Sequence, residues 1–383
     1  MAGDPRTVLI ANPGADLYGS DRMTVESVKA LVAAGYRVFV TVPGPGPLIE
    51  LLTDAGATVL VQPTPIIRKS LMSVRGLLKL FREAVSAWVP SWRLLRYTDA
   101  GTVVVNTITP PLWFPLARLT GRSVVCHVHE AEGTANPLVR AALYLPLVFC
   151  QRIVINSRFS LGVLARSAPW LADRTRIAYN AVAGPAEVVP PRQALDGAVR
   201  LLFMGRLSHR KGPHVLIDAV GVLEKRGRHV RLGLLGAVYA GNEAYEDELR
   251  RQVDAKGLHD SVDFLGFRPS IWDTVAHSDI VLISSVVDEP FGNTAVEASL
   301  GGRPLVVSDI AGLKEASEAA RSAIRVPAGD PESFADAVEE IIERWPHYSR
   351  AALEDSVTVA ERFSARQYAD AFVDAIGLRP LKG

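Results

Sequence analysis

Cysteine is nearly absent: Cys126 and Cys150 are the only two in 383 residues, so no disulfide framework can form and a reducing compartment is expected. Charge of one sign is also lacking. Lys and Arg number 42 against 41 Asp and Glu, and a net +1 gives no global field toward nucleic acid. Long apolar runs are missing. The longest, Ala141 to Cys150, is broken by Pro146 and flanked by Arg140 and Arg152, far short of the roughly 20 residues that a membrane span needs. The opening MAGDPRTVLIANPG holds only a four-residue apolar run before turn residues, which is no signal peptide, and the cytoplasm is the expected address. Two nucleotide-binding signatures are absent as well. After Gly14 and Gly19 in PGADLYGSDRM, a P-loop would need lysine where Ser20 and Asp21 stand. A dinucleotide fingerprint would need G-x-G-x-x-G and an acid closing the second strand, which ends Val40-Thr41-Val42-Pro43. That segment reads as a flexible loop.

What the chain does have is alternation of strand-like and helical stretches. TVLIAN (7–12), YRVFVTV (36–42), TVLVQ (58–62), TVVVN (102–106), SVVCHVH (123–129) and RIVIN (152–156) are β-branched and mostly apolar on both faces, as buried parallel strands are. The theme repeats in VRLLFMG (199–205), VRLGLLG (230–236), VDFLG (262–266), DIVLIS (279–284), RPLVVS (303–308) and AIRVPA (323–328). Two doubly wound parallel sheets follow, with the Pro- and Ala-rich residues 181–198 as linker. The expected division is 1–185, 186–360 and a C-terminal helix, 361–383, returning to the first domain. Open α/β sheets bind ligands at the carboxyl ends of their strands, so two facing sheets would set a site in the cleft between them.

The segment DEPFGNTAVEASLGG, Asp288 to Gly302, lies where a strand hands over to a helix. The amides of Gly292, Asn293 and Thr294, with the positive end of the helix dipole, form an anion site there. Glu289 precedes that site and Glu297 follows it by a helical turn, which suits a ligand with its phosphate in the middle, the layout of a nucleotide sugar. Glu297 as a bidentate acceptor suits two ribose hydroxyls, and Glu289 faces the sugar end. After the seventh strand, MGRLSHRKGPHVLIDAV brackets basic residues between Gly205 and Gly212. Arg206 and Lys211 are the candidates for charge-assisted bonds to a diphosphate, with His209 and Arg210 facing water. Gly266 and Phe267, closing another strand, offer a flat surface for a base.

CHVHEAEG puts His127, His129 and Glu130 at a strand end. No third ligand of suitable spacing is visible, so no metal is expected; His129 is read as contacting a sugar hydroxyl and His127 as buried and bonded to backbone. From Ile66 to Arg96 the chain carries Arg68, Lys69, Arg75, Lys79, Arg82, Arg93 and Arg96 against Glu83, with Phe81, Trp88 and Trp92 interspersed. This basic amphipathic segment suits an anionic membrane surface.

With those residues in hand, the chain resembles the retaining nucleotide-sugar glycosyltransferases of family 4, whose fold, GT-B, pairs two Rossmann-like doubly wound domains across a cleft. GRLSHRKGPHVLIDA, VDFLG and EPFGNTAVEASLGGRPLVVSDIAG carry the resemblance, and Tyr179-Asn180-Ala181-Val182 is similar to the family's Asn-Gly-Val step. The resemblance implies that Glu297 binds ribose, that Arg206 and Lys211 bind the diphosphate, and that Gly205, Gly266, Phe267, Phe291, Gly292, Asn293 and Thr294 complete the donor site. It implies Glu289, His129, Arg206 and Lys211 as the catalytic set, with Gly19 and Ser20 as an acceptor or phosphate loop. The implied reaction transfers a hexose from a UDP- or GDP-linked donor with retention of configuration, without cofactor or metal; the chain has no D-x-D sequence. The expected acceptor is a lipid-linked or cell-envelope glycan reached at the inner face of the membrane. A soluble small-molecule acceptor, a sugar-nucleotide epimerase of the same fold, a nicotinamide oxidoreductase and a sugar-nucleotide sensor are the alternatives.

Overall fold

Strand-length runs of β-branched residues separated by amphipathic stretches leave each segment one arrangement in which both faces of every strand are covered. In the computed structural model, which describes residues 3–17, 19–67, 74–131, 137–239 and 241–381, the chain divides into two units. Unit 1 comprises Met1–Ala181 with Ala365–Gly383, and unit 2 comprises Val182–Ser364.

Unit 1 is built on β1 (Asp4–Ala11), β2 (Arg37–Val42), β3 (Thr58–Val61), β4 (Ala100–Asn106), β5 (Ser123–Val128), β6 (Arg152–Ile155) and β7 (Thr175–Ile177). All pairs are parallel, in the order β3-β2-β1-β4-β5-β6-β7. Alternate residues go to opposite layers. Val8, Ile10, Val38, Val40, Val104 and Val125 face α1 (Gly19–Ala33) and α2 (Leu48–Asp54), while Leu9, Ala11, Val103, Val105, Val124 and Cys126 face α3 (Val74–Thr98), α4 (Trp113–Leu119) and α6 (Arg158–Ser167). The remaining helix of this half, α5 (Pro137–Tyr144), leads into a 3-10 turn, Leu145–Phe149. The C-terminal helix α14 (Ala365–Ala375) packs on α1 through Tyr368 and Phe372, and the Tyr368 hydroxyl meets Ser27 Oγ at 2.5 Å. Strand β7, three residues long and partly polar, has too little pattern to be read from sequence.

Unit 2 is built on β8 (Val199–Met204), β9 (Val230–Leu235), β10 (Val262–Gly266), β11 (Ile280–Ile283), β12 (Leu305–Ser308) and β13 (Ala323–Val326), again all parallel, in the order β10-β9-β8-β11-β12-β13. Its helices are α7 (Pro213–Lys225), α8 (Glu243–Lys256), α9 (Trp272–Ala276), α10 (Asn293–Leu300), α11 (Ala311–Ala316), α12 (Pro331–Glu343) and α13 (Trp345–Arg362). Residues 182–198, which composition marks as a linker, belong to this unit and are pinned to it. Arg192 forks onto the buried carboxylate of Asp279 at 2.9 and 2.5 Å, and Trp345 Nε1 donates to the Arg192 carbonyl. The fully buried Arg303 guanidinium also donates to Val189 O at 2.8 Å. Proline content made this segment irregular, while these polar anchors made it ordered.

Candidate active site

In unit 2 the strand order reverses between β8 and β11, and the loops leaving these neighbours open a crevice at their carboxyl ends. Beyond β8 come Gly205 and Arg206, then a 3-10 turn over His209–Lys211, then α7 after Gly212. Gly212 has φ +65°, and a Cβ there would stand 2.1 Å from the Ser284 carbonyl oxygen, so glycine alone lets the two loops touch. Ser284 Oγ donates to the carbonyls of Lys211 and Gly212 at 3.1 and 2.9 Å, and the Val286 N–H donates to Arg210 O at 2.9 Å. This docking of backbone on backbone brings Lys211 Nζ to 2.5 Å from Glu289 Oε1.

Glu289 is 8% exposed and also accepts from Ser285 Oγ. Burial pushes its carboxyl up, but the Lys211 charge and hydrogen bond, the Ser285 hydroxyl and the Arg210 charge together hold it below the ordinary value. The carboxylate is therefore ionised and neutralised in place. Arg210 is exposed, as expected, and its guanidinium also donates to Asp288 O at 2.9 Å and adds to the positive field at Glu289.

Arg206 lies 3.4 Å above the ring of Tyr239, in the loop after β9. At the exit of β11, Gly292 (φ +110°) starts α10; a Cβ there would meet Leu313 at 2.6 Å. The first turn of α10 carries Asn293 and Thr294, and Thr294 Oγ1 is buried without a hydrogen-bond partner among the described atoms. Glu297 follows on the same helix, half-buried. The ring of Phe291 turns into the packing edge-on to Phe363, so it can offer a ligand only its backbone. Gly266 (φ +69°) and the exposed Phe267 leave from β10, two strands away from β8.

Unit 1 reverses its strand order between β1 and β4, and there two amides and an imidazole converge with one buried carboxyl, Asp21. Asn12, Asn106 and His129 follow the apolar runs of β1, β4 and β5, so their side chains converge. Asn12 Nδ2 donates to Asp21 Oδ1 at 3.1 Å and to Gly14 O at 2.8 Å. Asn12 Oδ1 accepts from Thr24 Oγ1 at 2.8 Å and from Asn106 Nδ2 at 2.6 Å. With Asn106 Nδ2 committed, its Oδ1, 2.9 Å from His129 Nε2, is the acceptor, and His129 carries its proton on Nε2. The Nδ1 lone pair is left to accept a further hydrogen bond. Burial depresses the His129 pKa to about 4, so the ring is neutral.

Two further groups brace this corner. Thr107 has φ +68°, costly for a β-branched residue, and is held by its N–H on His127 O at 2.8 Å and by a 2.6 Å contact between its hydroxyl and that of Thr109. Burial pushes Glu130 up to about 7, partly offset by the backbone N–H groups of His129, Glu130 and Ile108 and the Thr107 hydroxyl. His127 is buried against Tyr368 and Phe372, and its Nε2 has no hydrogen-bond partner among the described atoms. Gly19 and Ser20 are the first residues of α1, not part of a loop, because Asp21 and Thr24 are tied to Asn12 and pull the helix start forward. Sequence reasoning missed Asn12, Asp21, Asn106 and Thr107; the available signal was a polar residue closing an apolar strand.

Among the described residues no three His, Cys, Asp or Glu side chains are grouped to hold a metal ion. Arg68 and Lys69 lie outside the described residues.

The family model described as "Glycosyl transferases group 1" matches residues 186–354, and "Glycosyltransferase Family 4" matches residues 18–183. A D-inositol 3-phosphate glycosyltransferase of Paenarthrobacter aurescens is 31% identical over 200 residues, 46% of this chain and 48% of that protein. The lipopolysaccharide core biosynthesis glycosyltransferase LpsE of Rhizobium meliloti is 31% identical over 180 residues, 47% of this chain and 50% of that protein. The chain thus spans about half the length of these curated relatives. Among solved structures, Anabaena Alr3699/HepE in complex with UDP and glucose superposes with a TM-score of 0.78 at 21% identity, covering 96% of this chain and 98% of that one. That likeness shows a shared fold of two parallel-sheet units.

Proposed function

Because the chain belongs to the glycosyltransferases of group 1 and family 4, we propose that it moves a sugar from a nucleotide diphosphate sugar to an acceptor with retention of configuration. The observation that carries this reading is the Lys211–Glu289 ion pair at the reversal point of unit 2, which ties the turn before α7 to the segment that leads into α10. A diphosphate competes with Glu289 for Lys211, and Arg206 and the α10 N-terminus supply the remaining positive charge. Glu289, freed of its counter-ion, accepts hydrogen bonds from the sugar, and Glu297 accepts from the ribose. In unit 1, His129 offers Nδ1 to a substrate hydroxyl.

In this scheme the bond from the anomeric carbon to the diphosphate breaks, and the acceptor oxygen bonds to the same face. Its proton passes to the departing phosphate oxygen. Arg206, Lys211 and the helix dipole stabilise the leaving charge, the main catalytic contribution, and no metal takes part. The acceptor class we favour is a lipid-linked or cell-envelope glycan, with LpsE as the relative in point.

The test is a panel of UDP- and GDP-sugars. One donor should raise the melting temperature and be slowly hydrolysed, Glu289→Ala and Arg206→Ala should abolish turnover, and NMR of the product should show the donor's anomeric configuration. Inositol phosphate and envelope glycolipids, supplied in parallel, identify the acceptor class. If no nucleotide sugar protects the protein, the reading fails.

A further inference from the structure

Helix α3 buries one face and leaves a second apolar face in solvent. Ala87, Ser91, Leu95 and Thr98 pack inward, while Leu78, Phe81, Val85, Val89 and Trp92 point outward, Phe81 at 66% and Val85 at 59% exposure. At about 100° per residue, Phe81, Val85, Trp88 and Trp92 fall within an arc of about 60° and form one continuous line. Arg82 and Arg93 follow about 100–120° round from Phe81, with Lys79 beyond them. Glu83, in reach of Lys79 at 3.9 Å, is the sole acid of this helix. Between α3 and the turn into α4 runs an apolar groove of about 610 Å³, lined by Leu80, Phe81, Val85, Trp88, Pro111 and Pro115. Exposed Leu119, ending α4, and Leu145, in the 3-10 turn packed on α4, extend the same layer.

A solvated helix face does not carry this line of large apolar groups, and a purely electrostatic patch does not need it. From the stripe, the groove and the adjoining cations, we infer that this face of unit 1 inserts into the acyl boundary of an anionic lipid bilayer, with a lipid chain end seated in the groove. The charge pattern selects that occupant. Arg82 and Arg93 flank the apolar line, where their heads reach lipid phosphates, Arg96 lies 5.2 Å over the Trp92 ring, and the tryptophans suit the depth between acyl chains and headgroups. A second copy meeting this face would set Arg82 and Arg93 against their own kind. The inference deepens the proposed function by fixing how an envelope acceptor is approached, and it moves the weight of membrane contact from charge to apolar insertion.

Flotation of the full chain with phosphatidylcholine vesicles, with and without phosphatidylglycerol, tests it. Binding should be stronger with the anionic lipid at low salt, yet persist in large part with both vesicles at high salt, where exposed charge alone is screened. The double variant Phe81→Glu, Trp88→Glu should lose binding by about 10-fold or more, since each change sets a charge at acyl depth. Lys79→Glu, Arg82→Glu should lose the preference for anionic lipid instead. Brominated lipid should quench tryptophan emission in the parent and less in Trp88→Phe, Trp92→Phe. Nucleotide-sugar protection of each variant controls for folding. Should the parent float without any response to nucleotide sugars, the functional reading fails and this inference stands; donor protection without flotation sinks the inference alone. It is equally overturned if Phe81→Glu, Trp88→Glu floats as the parent does, or if that variant turns a sedimenting dimer into a monomer.

Discussion

Both sheets reverse their strand order at one point, yet the two reversal points are furnished in opposite ways. In unit 2 it is charged and tight: Lys211 neutralises a buried Glu289, and Gly212 and Gly292 permit approaches that no side chain would allow. In unit 1 it is chained, with a neutral His129 and the amides of Asn106 and Asn12 handing hydrogen bonds down to the carboxyl of Asp21. The difference teaches what each can recognise. A neutralised ion pair can exchange a partner when a highly charged ligand arrives, which suits a diphosphate. A fixed series of amides and imidazole presents one oriented lone pair, which suits a hydroxyl and repels nothing.

Breaking the charged side should have the largest effect. Lys211→Ala leaves Glu289 buried without its Lys211 counter-ion, and on the order of 3–5 kcal/mol of stability should go with it at neutral pH. Turnover should fall by about 100-fold or more as the leaving diphosphate loses its cation. The pH dependence sharpens the point. A carboxyl held below its ordinary value stabilises the fold above that value, and this is lost as pH falls through the lowered pKa. Without Lys211, burial pushes the Glu289 carboxyl up, so Lys211→Ala should regain stability as pH falls and the gap between its melting temperature and the parent's should narrow in acid. Adding Glu289→Gln to Lys211→Ala should restore stability without restoring turnover, and recovery of both would remove the contrast between the two units.

The same contrast explains what could be read from the sequence. The strands of both sheets, except β7, were legible because buried parallel strands are runs of Val, Ile and Leu. Asp288 to Thr294 and the loop Arg206 to Gly212 were legible because charge and glycine cluster there in consecutive residues. The unit 1 network was not. Its members come from positions as far apart as 12 and 129, and each is a side chain of an unremarkable type until topology sets β1, β4 and β5 side by side. Nor could composition reveal that 182–198 is held by Arg192 and Arg303, because both anchors meet partners distant in sequence.

The unit 1 network breaks more gently. Asn106→Leu deprives His129 Nε2 and Asn12 Oδ1 of a partner, at about 1–3 kcal/mol of stability, and should slow turnover by roughly 10-fold with little change in donor affinity. Asn106→Asp is the more telling variant. A carboxylate beside His129 favours the imidazolium and should raise its pKa from about 4 by roughly 1–3 units, bringing an inflection into the acid limb of the rate profile. A profile identical to the parent's would show that Asn106 does not hold the imidazole during the reaction.

The smallest effect concerns Glu130, and its sign separates it from the histidines. His127 and His129 have folded pKa values pushed down by burial, so as pH falls below about 6.5 the unfolded chain takes up protons that the folded chain refuses, and stability declines. Glu130, raised to about 7, binds its proton first in the folded chain, so between that value and the ordinary carboxylate pKa of 4.5 it adds stability as pH falls. The two trends oppose each other in the same window. Glu130→Gln keeps the hydrogen-bonding shape and removes only the upward trend. Its stability, measured by denaturant unfolding from pH 7 down to pH 5, should fall more steeply than the parent's by up to about 1.4 kcal/mol per pH unit. Parallel curves would mean that Glu130 is ionised in the folded protein, and the corner of unit 1 would then hold a charge as unit 2 does.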